Sequence, residues 1–287
     1  MRRPFSSFRQ CATTGLAKLC CVPHIKAGDL QVYYEIHGAA GPQTLTLIRG
    51  LGADLLSWFP QVPEFSRHFR TLVFDNRGAG RTDKPDTPYS IGQMASDVKN
   101  LLDALHIERT ALLGISMGGM IAQEFAIHYP EKLTCLILGC TSFGGAGAVP
   151  LPQDMFQAIL AGPVADPEVR ARQERALYSD ATILRNRDVI ARQSEARGKF
   201  PMPPFALARQ ADALFNHDAA ARVGQIRVPT LVVAGKEDRL IPPGNSPLIA
   251  ERISGAVLQE LPGGHLFTSE YPELFNQTVI EFVKMSS

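Results

Sequence analysis

Residues 110–128 read TALLGISMGGMIAQEFAIH, a short apolar stretch that meets a longer one at a serine. The spacing predicts a buried strand over residues 110–113 and a helix over Met117–His128. Between them, the hexapeptide GISMGG matches the pattern G-x-S-x-G, in which a serine on a sharp strand-to-helix turn exposes its hydroxyl above a sheet. The stretch therefore predicts that Ser116 is a nucleophile and that the chain is an enzyme.

The sequence on both sides of this turn alternates between strand and helix patterns. Further strands are predicted at 24–27, 30–36, 44–48, 71–74, 133–139, 229–234 and 256–261. Helices are also predicted at 91–105 and 272–284. This alternation predicts an α/β fold, in which a mostly parallel central sheet is flanked by helices.

Residues 146–205 interrupt the alternation. They contain several prolines and helical patterns at 167–178 and 182–196, but no strand pattern. We therefore expect a core formed by residues 24–145 and 206–287, with a helical cap at 146–205 inserted after the sixth strand. Eight basic and seven acidic residues nearly cancel in this cap, so its charge does not favour an anionic substrate.

Apolar side chains in and near the cap are candidates for a substrate pocket. Those selected are Phe143, Met155 and Phe156. Four more apolar residues of the cap could extend the pocket, namely Ile159, Leu160, Met202 and Phe205. The alternative is that most of these side chains only pack the cap on the core.

The composition is that of an ordinary globular protein. The 287 residues carry a net charge of +1, which gives no reason to expect a nucleic acid or an anionic membrane as a partner. No apolar run approaches the roughly 20 residues that span a bilayer. Five cysteines without a C-x-x-C pair predict buried thiols rather than disulfides or zinc ligands, which favours a reducing, cytoplasmic location.

Residues 1–23 differ from the rest of the chain. They contain no acidic residue, whereas Arg2, Arg3, Arg9 and Lys18 are basic. This composition predicts either a disordered extension or a targeting segment, so export and organelle targeting stay open alternatives. The fold prediction therefore starts at residue 24.

Two strand ends downstream of Ser116 carry groups that could activate it. A serine hydroxyl needs a base, and the base needs an orienting group. The strand at 229–234 is followed by Glu237 and Asp238, and the strand at 256–261 by His265 after a Gly-Gly turn. Because such groups collect at the carboxyl ends of parallel strands, we expect His265 to be the base and Asp238 the acid. A structural histidine is the alternative, and Glu237 is expected to face solvent.

Two backbone amides are expected to form an oxyanion hole. Leu51 lies between two glycines after the third strand, and Met117 begins the helix that follows Ser116. Amides in such places can donate hydrogen bonds to the oxyanion of a tetrahedral intermediate. For the loop around Leu51, the alternative is a plain tight turn.

Together these motifs resemble those of the α/β-hydrolase superfamily over about residues 24–285. Residues 75–82, DNRGAGRT, are similar to the family's D-x-R-G-x-G-x-S loop. The GISMGGMIAQ and GCTS stretches resemble small bacterial carboxylesterases and 3-oxoadipate enol-lactonases. The resemblance implies the α/β-hydrolase fold, a cap that selects the substrate, and no metal or organic cofactor.

Arg49 departs from this resemblance, because relatives commonly carry histidine before the glycine at this place. A guanidinium here could anchor a substrate carboxylate near the oxyanion hole, as an acidic lactone would require. The alternative is that Arg49 points away and donates to backbone carbonyls or carboxylates nearby.

These observations predict a serine hydrolase that cleaves a carboxylic ester or lactone through an acyl-enzyme. We expect a small to medium, largely apolar substrate and a monomer or homodimer. A carbon–carbon bond hydrolase of the same fold would use the same three residues, and a hydrolase-fold receptor would keep them to bind a small molecule. A catalytic histidine predicts an activity profile with an apparent pKa of about 6 to 7.

Overall fold

The computed structural model describes residues 24–39, 43–162 and 166–286, and in these ranges eight strands form one sheet. The strands are β1 (His24–Ala27), β2 (Leu30–His37), β3 (Thr44–Ile48), β4 (Arg70–Phe74), β5 (Thr110–Ile115), β6 (Leu133–Gly139), β7 (Thr230–Gly235) and β8 (Val257–Leu261). All eight were expected from the sequence, with small shifts at their ends. The extension or targeting segment expected at 1–23 lies outside the described residues.

The sheet is antiparallel at one edge and parallel elsewhere. The strands lie in the order β1-β2-β4-β3-β5-β6-β7-β8. β1 pairs with β2 and β2 with β4 in antiparallel fashion, and every pair from β4 to β8 is parallel. β3, β5 and β7 are buried along their whole length, as expected for strands covered on both faces. The predicted α/β fold class is confirmed.

Eleven α-helices pack around this sheet in the described ranges. They are α1 (Val62–Phe65), α2 (Ile91–Ala104), α3 (Met117–His128), α4 (Gln153–Leu160), α5 (Pro167–Leu177), α6 (Asp180–Arg185), α7 (Arg187–Lys199), α8 (Pro204–Phe215), α9 (Asn245–Arg252), α10 (Phe267–Glu270) and α11 (Pro272–Met285). Five of them, α4 to α8, lie between β6 and β7. No helix of the described chain has both the length and the apolar character that crossing a membrane requires.

The region between β6 and β7 differs from the sequence prediction in two respects. The prediction of a single helix over 182–196 is wrong, because Asn186 adopts a non-helical conformation (φ −134°, ψ 56°) that separates α6 from α7. Helix α8 was not expected, and the cap boundary placed between residues 205 and 206 falls inside it. A proline in the first turn fixes the start of α8. We therefore propose that the cap extends through Phe215.

The two faces of the sheet carry separate apolar cores because neighbouring strand residues point to opposite sides. Leu112 of β5 packs with α2 and α3 in the larger core. Leu113 packs in the second core with Trp58 and with Phe275 of α11. The helices on both faces thus hold β5 in a fixed position, and with it the turn that follows.

Two cysteines lie in the described part of the chain. Cys135 and Cys140 are both buried and unbridged, which confirms the expectation of buried thiols at these positions. The other three cysteines fall within residues 1–23.

Candidate active site

Ser116 stands at the turn between β5 and α3 in a strained backbone conformation. Its φ of 60° and ψ of −126° lie where residues other than glycine are rarely found. Ser116 N donates a hydrogen bond to Gly139 O at 2.9 Å, and Thr141 Oγ1 donates to Ser116 O at 2.8 Å. Such strain costs about 1–3 kcal/mol and persists only where the surroundings fix it. The partly exposed serine is therefore held at the carboxyl end of a central strand.

Two glycines let the loop after β3 approach this turn. A Cβ atom at Gly118 would lie 2.3 Å from Ile48 O, and a Cβ atom at Gly50 would lie 2.9 Å from Ser116 Cβ. Contacts as short as these do not occur, so a larger residue would push the two segments apart. The loop after β3 is thus packed directly against the serine.

His265 and Asp238 meet at the carboxyl ends of β8 and β7. His265 Nδ1 lies 2.8 Å from Asp238 Oδ2. The other carboxylate oxygen, Oδ1, accepts hydrogen bonds from Leu240 N at 2.9 Å and Ile241 N at 2.8 Å, which fixes the carboxylate. His265 and Asp238 are buried, whereas Glu237 is exposed. Of the two adjacent acids, it is Asp238 that contacts the histidine.

The loop that carries the histidine is fastened by Glu270 of α10, which is itself buried. Gly264 N donates to Glu270 Oε1 at 2.7 Å, and Ser179 N donates to Glu270 Oε2 at 3.0 Å. Leu266 N donates to Leu177 O at 2.8 Å. The histidine loop is therefore tied to the segment between α5 and α6. Glu270 could not be predicted from the sequence, because a lone acid in a short helix belongs to no motif.

The surroundings of His265 favour its protonated form. Burial alone would lower the pKa of His265, but the Asp238 carboxylate and the Cys140 thiol outweigh burial and raise the pKa above its ordinary value. Cys140 follows β6 with a φ of 38°, and its Sγ lies within 4.8 Å of a ring nitrogen of His265. We therefore expect the apparent pKa of the activity profile to lie above the value of about 6 to 7 that the sequence predicts.

Cys140, Asp238 and His265 are also the described residues that could hold a metal ion. One ligand atom of each lies within 4.8 Å of the others. Both oxygens of Asp238 already accept hydrogen bonds, however, and a metal ion would have to replace the bond to His265 Nδ1. The arrangement therefore fits an acid–base pair better than a metal centre.

A narrow cavity of about 50 Å³ opens beside Ser116, between the sheet and the helices that follow β6. From the core, Arg49, Leu51, Ser116 and His265 contribute to its lining. From α4 to α8 come Phe156, Ile159, Leu177, Gln193, Arg197 and Leu214. The serine and the histidine thus face the same enclosed space, most of whose wall is apolar.

Several of the expected pocket residues do not line this cavity. Phe143 is fully buried, with Arg252 Cζ 4.6 Å from the centre of its ring. Met155 is partly buried and packs on the core, although its neighbour Phe156 does line the cavity. Adjacent positions of a helix point to different sides, so only one of the pair can face the site. Phe143 and Met155 therefore follow the alternative in which apolar side chains only pack the cap on the core. Of the four further candidates in the cap, Ile159 lines the cavity, whereas Leu160, Met202 and Phe205 do not.

Leu51 and Met117 directly follow Gly50 and Ser116, the two residues that approach each other where the loop after β3 packs against the serine turn. Leu51 lines the cavity, and Met117 is the first residue of α3, where the helix dipole favours negative charge. Within the described ranges, no backbone oxygen outside the regular helices and strands accepts a hydrogen bond from either amide. Both amides are therefore available to a ligand, and their role as an oxyanion hole stays a prediction.

Arg49 lies under the cavity against the only tryptophan of the chain. Its Cζ is 4.5 Å from the centre of the Trp58 ring. Arg49 does not follow the alternative of bonding nearby carbonyls, because its buried Nε and Nη1 have no acceptor among the described residues. Arg197 reaches the same cavity from α7. Arg197 could not be predicted as a cavity residue from the sequence, because α7 is mostly polar and carries several arginines.

The fold agrees with the comparison to known proteins. A family model described as alpha/beta hydrolase fold matches residues 43–270. The chain belongs to the alpha/beta hydrolase family. This confirms the resemblance inferred from the motifs.

Two curated relatives and one solved structure illustrate where this alpha/beta hydrolase lies in the family. The putative carbamate hydrolase RutD of Azorhizobium caulinodans is 32% identical over 91% of this chain and 98% of its own length. The 3-oxoadipate enol-lactonase 2 of Acinetobacter baylyi is 28% identical over 91% of this chain and 96% of its own. The crystal structure of the enol-lactonase from Burkholderia xenovorans LB400 superposes with a TM-score of 0.80 at 26% identity, covering 91% of this chain and all of that one. The alpha/beta hydrolase described here is accordingly a hydrolase.

Proposed function

We propose that this hydrolase cleaves a carboxylic ester or lactone through an acyl-enzyme on Ser116. The observation that carries the proposal is the 2.8 Å hydrogen bond between His265 Nδ1 and Asp238 Oδ2, at a cavity that Ser116 also lines. Because Nδ1 is bound to the carboxylate, Nε2 is the nitrogen left to accept a proton from the serine. The strained turn at Ser116 adds support, since strain is commonly kept at functional sites.

The reaction follows from these positions in two steps. Ser116 Oγ attacks the acyl carbon while His265 Nε2 takes the hydroxyl proton, and the Leu51 and Met117 amides donate to the oxyanion. The bond to the leaving oxygen then breaks as the imidazolium returns the proton to it. Water attacks the acyl-enzyme in the same way, which releases the acid and restores the serine. Asp238 stabilises the imidazolium in both steps.

The relatives support this bond class. One is named as a putative carbamate hydrolase and two as enol-lactonases. Carbamates, lactones and esters share an acyl carbon that a serine can attack, so one site geometry serves all three. We propose a small-molecule substrate and assign its selection to α4–α8, which supply much of the cavity wall.

Hydrolysis of p-nitrophenyl esters of increasing acyl length, beside a few lactones, tests the proposal. Ser116→Ala and His265→Ala are each expected to lower kcat by about a thousandfold or more, because the three residues act as a unit. Asp238→Ala should also lose activity, whereas Glu237→Ala, one residue away and exposed, serves as the matched control. Full turnover by Ser116→Ala would refute the mechanism. Binding without turnover of any ester or lactone would favour a receptor, and cleavage of a carbon–carbon bond alone would favour that class of hydrolase.

A further inference from the structure

Arg49 is a buried cation without an ion-pair partner among the described residues. Arg49 is 4% exposed, and its Nε and Nη1 have no hydrogen-bond partner in the part of the chain that the structure describes. Burial lowers the pKa of Arg49 to about 10. Leaving a desolvated guanidinium unpaired is costly, so such a residue calls for an explanation other than stability.

Arg77 shows how the same fold treats an arginine that serves the structure. Its Nε and Nη2 donate to the two oxygens of Asp97 at 2.8 and 2.7 Å, and Nη2 also donates to Asp29 at 3.0 Å. The buried guanidinium of Arg77 is therefore paired with carboxylates of the protein. Arg49 differs from Arg77 in facing the cavity that Ser116 lines.

Arg197 brings a second positive charge to the cavity from α7. Burial lowers the pKa of Arg197, and the charge of Arg197 in turn lowers the pKa of Arg49, so the two guanidiniums repel each other. Asp54 is the carboxylate whose charge raises the pKa of both arginines, but no oxygen of Asp54 lies in ion-pair contact with either of them. Asp54 Oδ1 instead accepts from Leu56 N at 2.9 Å. Both arginines thus line the cavity without a direct ion pair to any described residue.

We propose that Arg49 and Arg197 bind a carboxylate of the substrate, which makes the substrate an ester or lactone of a short dicarboxylic acid. This inference rests on the proposed function, since it places the bond to be cleaved at Ser116. The planar donors of a guanidinium match a carboxylate, and an anion between the two arginines relieves their repulsion. The apolar remainder of the wall suits the carbon chain between the two acid groups. The near-neutral cap does not oppose this, because position and not total charge decides which ions face the substrate.

Hydrolysis of two isosteric methyl esters tests the acid preference. Monomethyl succinate carries a carboxylate where methyl 4-methylpentanoate carries an isopropyl group, and both are stable in water. The ratio of their kcat/KM values, acid over neutral, should fall about tenfold or more in Arg49→Met and in Arg197→Met. Arg192→Met removes the same charge from an exposed position of α7, so its ratio should stay within about twofold of wild type.

Calorimetric titration of Ser116→Ala with monomethyl succinate measures binding without turnover. Adding Arg49→Met or Arg197→Met to this variant should raise Kd about tenfold or more, and adding Arg192→Met should leave Kd nearly unchanged. Emission of Trp58, the only tryptophan, should change on binding because Arg49 stacks on its ring.

The two measurements separate this inference from the proposed function. If esters are cleaved but the acid-to-neutral ratio is the same in wild type and in both arginine variants, the carboxylate site is refuted and the hydrolase stands. If monomethyl succinate binds in an arginine-dependent way but neither it nor any p-nitrophenyl ester or lactone is cleaved, the carboxylate site stands and the proposed function is refuted. Absence of binding to Ser116→Ala refutes the carboxylate site.

Discussion

Cys140 is the residue beside His265 whose removal should change the acidity of the histidine without touching the hydrogen bond to Asp238. The base must be neutral to accept the serine proton, so activity rises as pH rises through the pKa of His265. Because the Cys140 thiol raises that pKa, Cys140→Ala should lower it. We expect the acid limb of kcat/KM, followed between about pH 5 and 10, to move to lower pH in this variant.

Cys135→Ala is the matched control for this profile, since Cys135 is equally buried and unbridged but lies within β6. Its acid limb should coincide with that of wild type. An acid limb that stays in place or moves upward in Cys140→Ala would contradict the assigned influence of the thiol.

Arg49 and Arg77 are both buried, yet they should respond to the same substitution with opposite signs. Arg49→Met removes an unpaired charge and keeps an unbranched side chain against Trp58, so the free energy of unfolding should rise by about 1–3 kcal/mol. Arg77→Met leaves Asp97 buried without its partner and should cost about 3–5 kcal/mol. Urea unfolding of both variants measures the two effects. Loss of stability in Arg49→Met would show that the protein itself uses this charge.

The short helix α10 matters through Glu270, which joins the histidine loop to the segment between α5 and α6. Glu270→Gln keeps the size of the side chain but places an amide donor against one of two backbone donors, Gly264 N and Ser179 N. We expect a loss of about 1–3 kcal/mol in unfolding free energy and a fall in kcat larger than any change in KM. Glu273→Gln, an exposed change at the start of α11, is the control. Equal behaviour of the two variants would refute the role given to Glu270.

The strands and the serine turn could be predicted from the sequence because their signals are local. Apolar runs predict β3, β5 and β7, and the glycines around Ser116 indicate a tight turn. The break at Asn186 was missed because α6 and α7 share one polar helical pattern. Arg197 could not be distinguished from the exposed arginines of its helix, since only the packing of α7 on the core decides which of them reaches the cavity.

For the molecule as a whole, the cavity lies where helices inserted between β6 and β7 meet the carboxyl edge of the sheet. Gln210 of α8 helps to hold the two parts together: it is fully buried, Gly52 N donates to its Oε1 at 3.1 Å, and its Nε2 donates to Arg77 O at 2.7 Å. The sheet side supplies Ser116, His265 and part of the apolar wall, and the segment inserted between β6 and β7 supplies the rest of that wall. Both parts of the fold therefore line the cavity.

Covalent labelling of the full-length protein tests most directly the claim that Ser116 is the nucleophile. A fluorophosphonate reacts with an activated serine, loses fluoride and leaves a phosphonyl group that intact-mass and peptide mass spectrometry detect. We predict a single adduct on Ser116, formed much more slowly in His265→Ala and absent from Ser116→Ala. An adduct on another residue, or equal labelling of Ser116→Ala, would contradict the account.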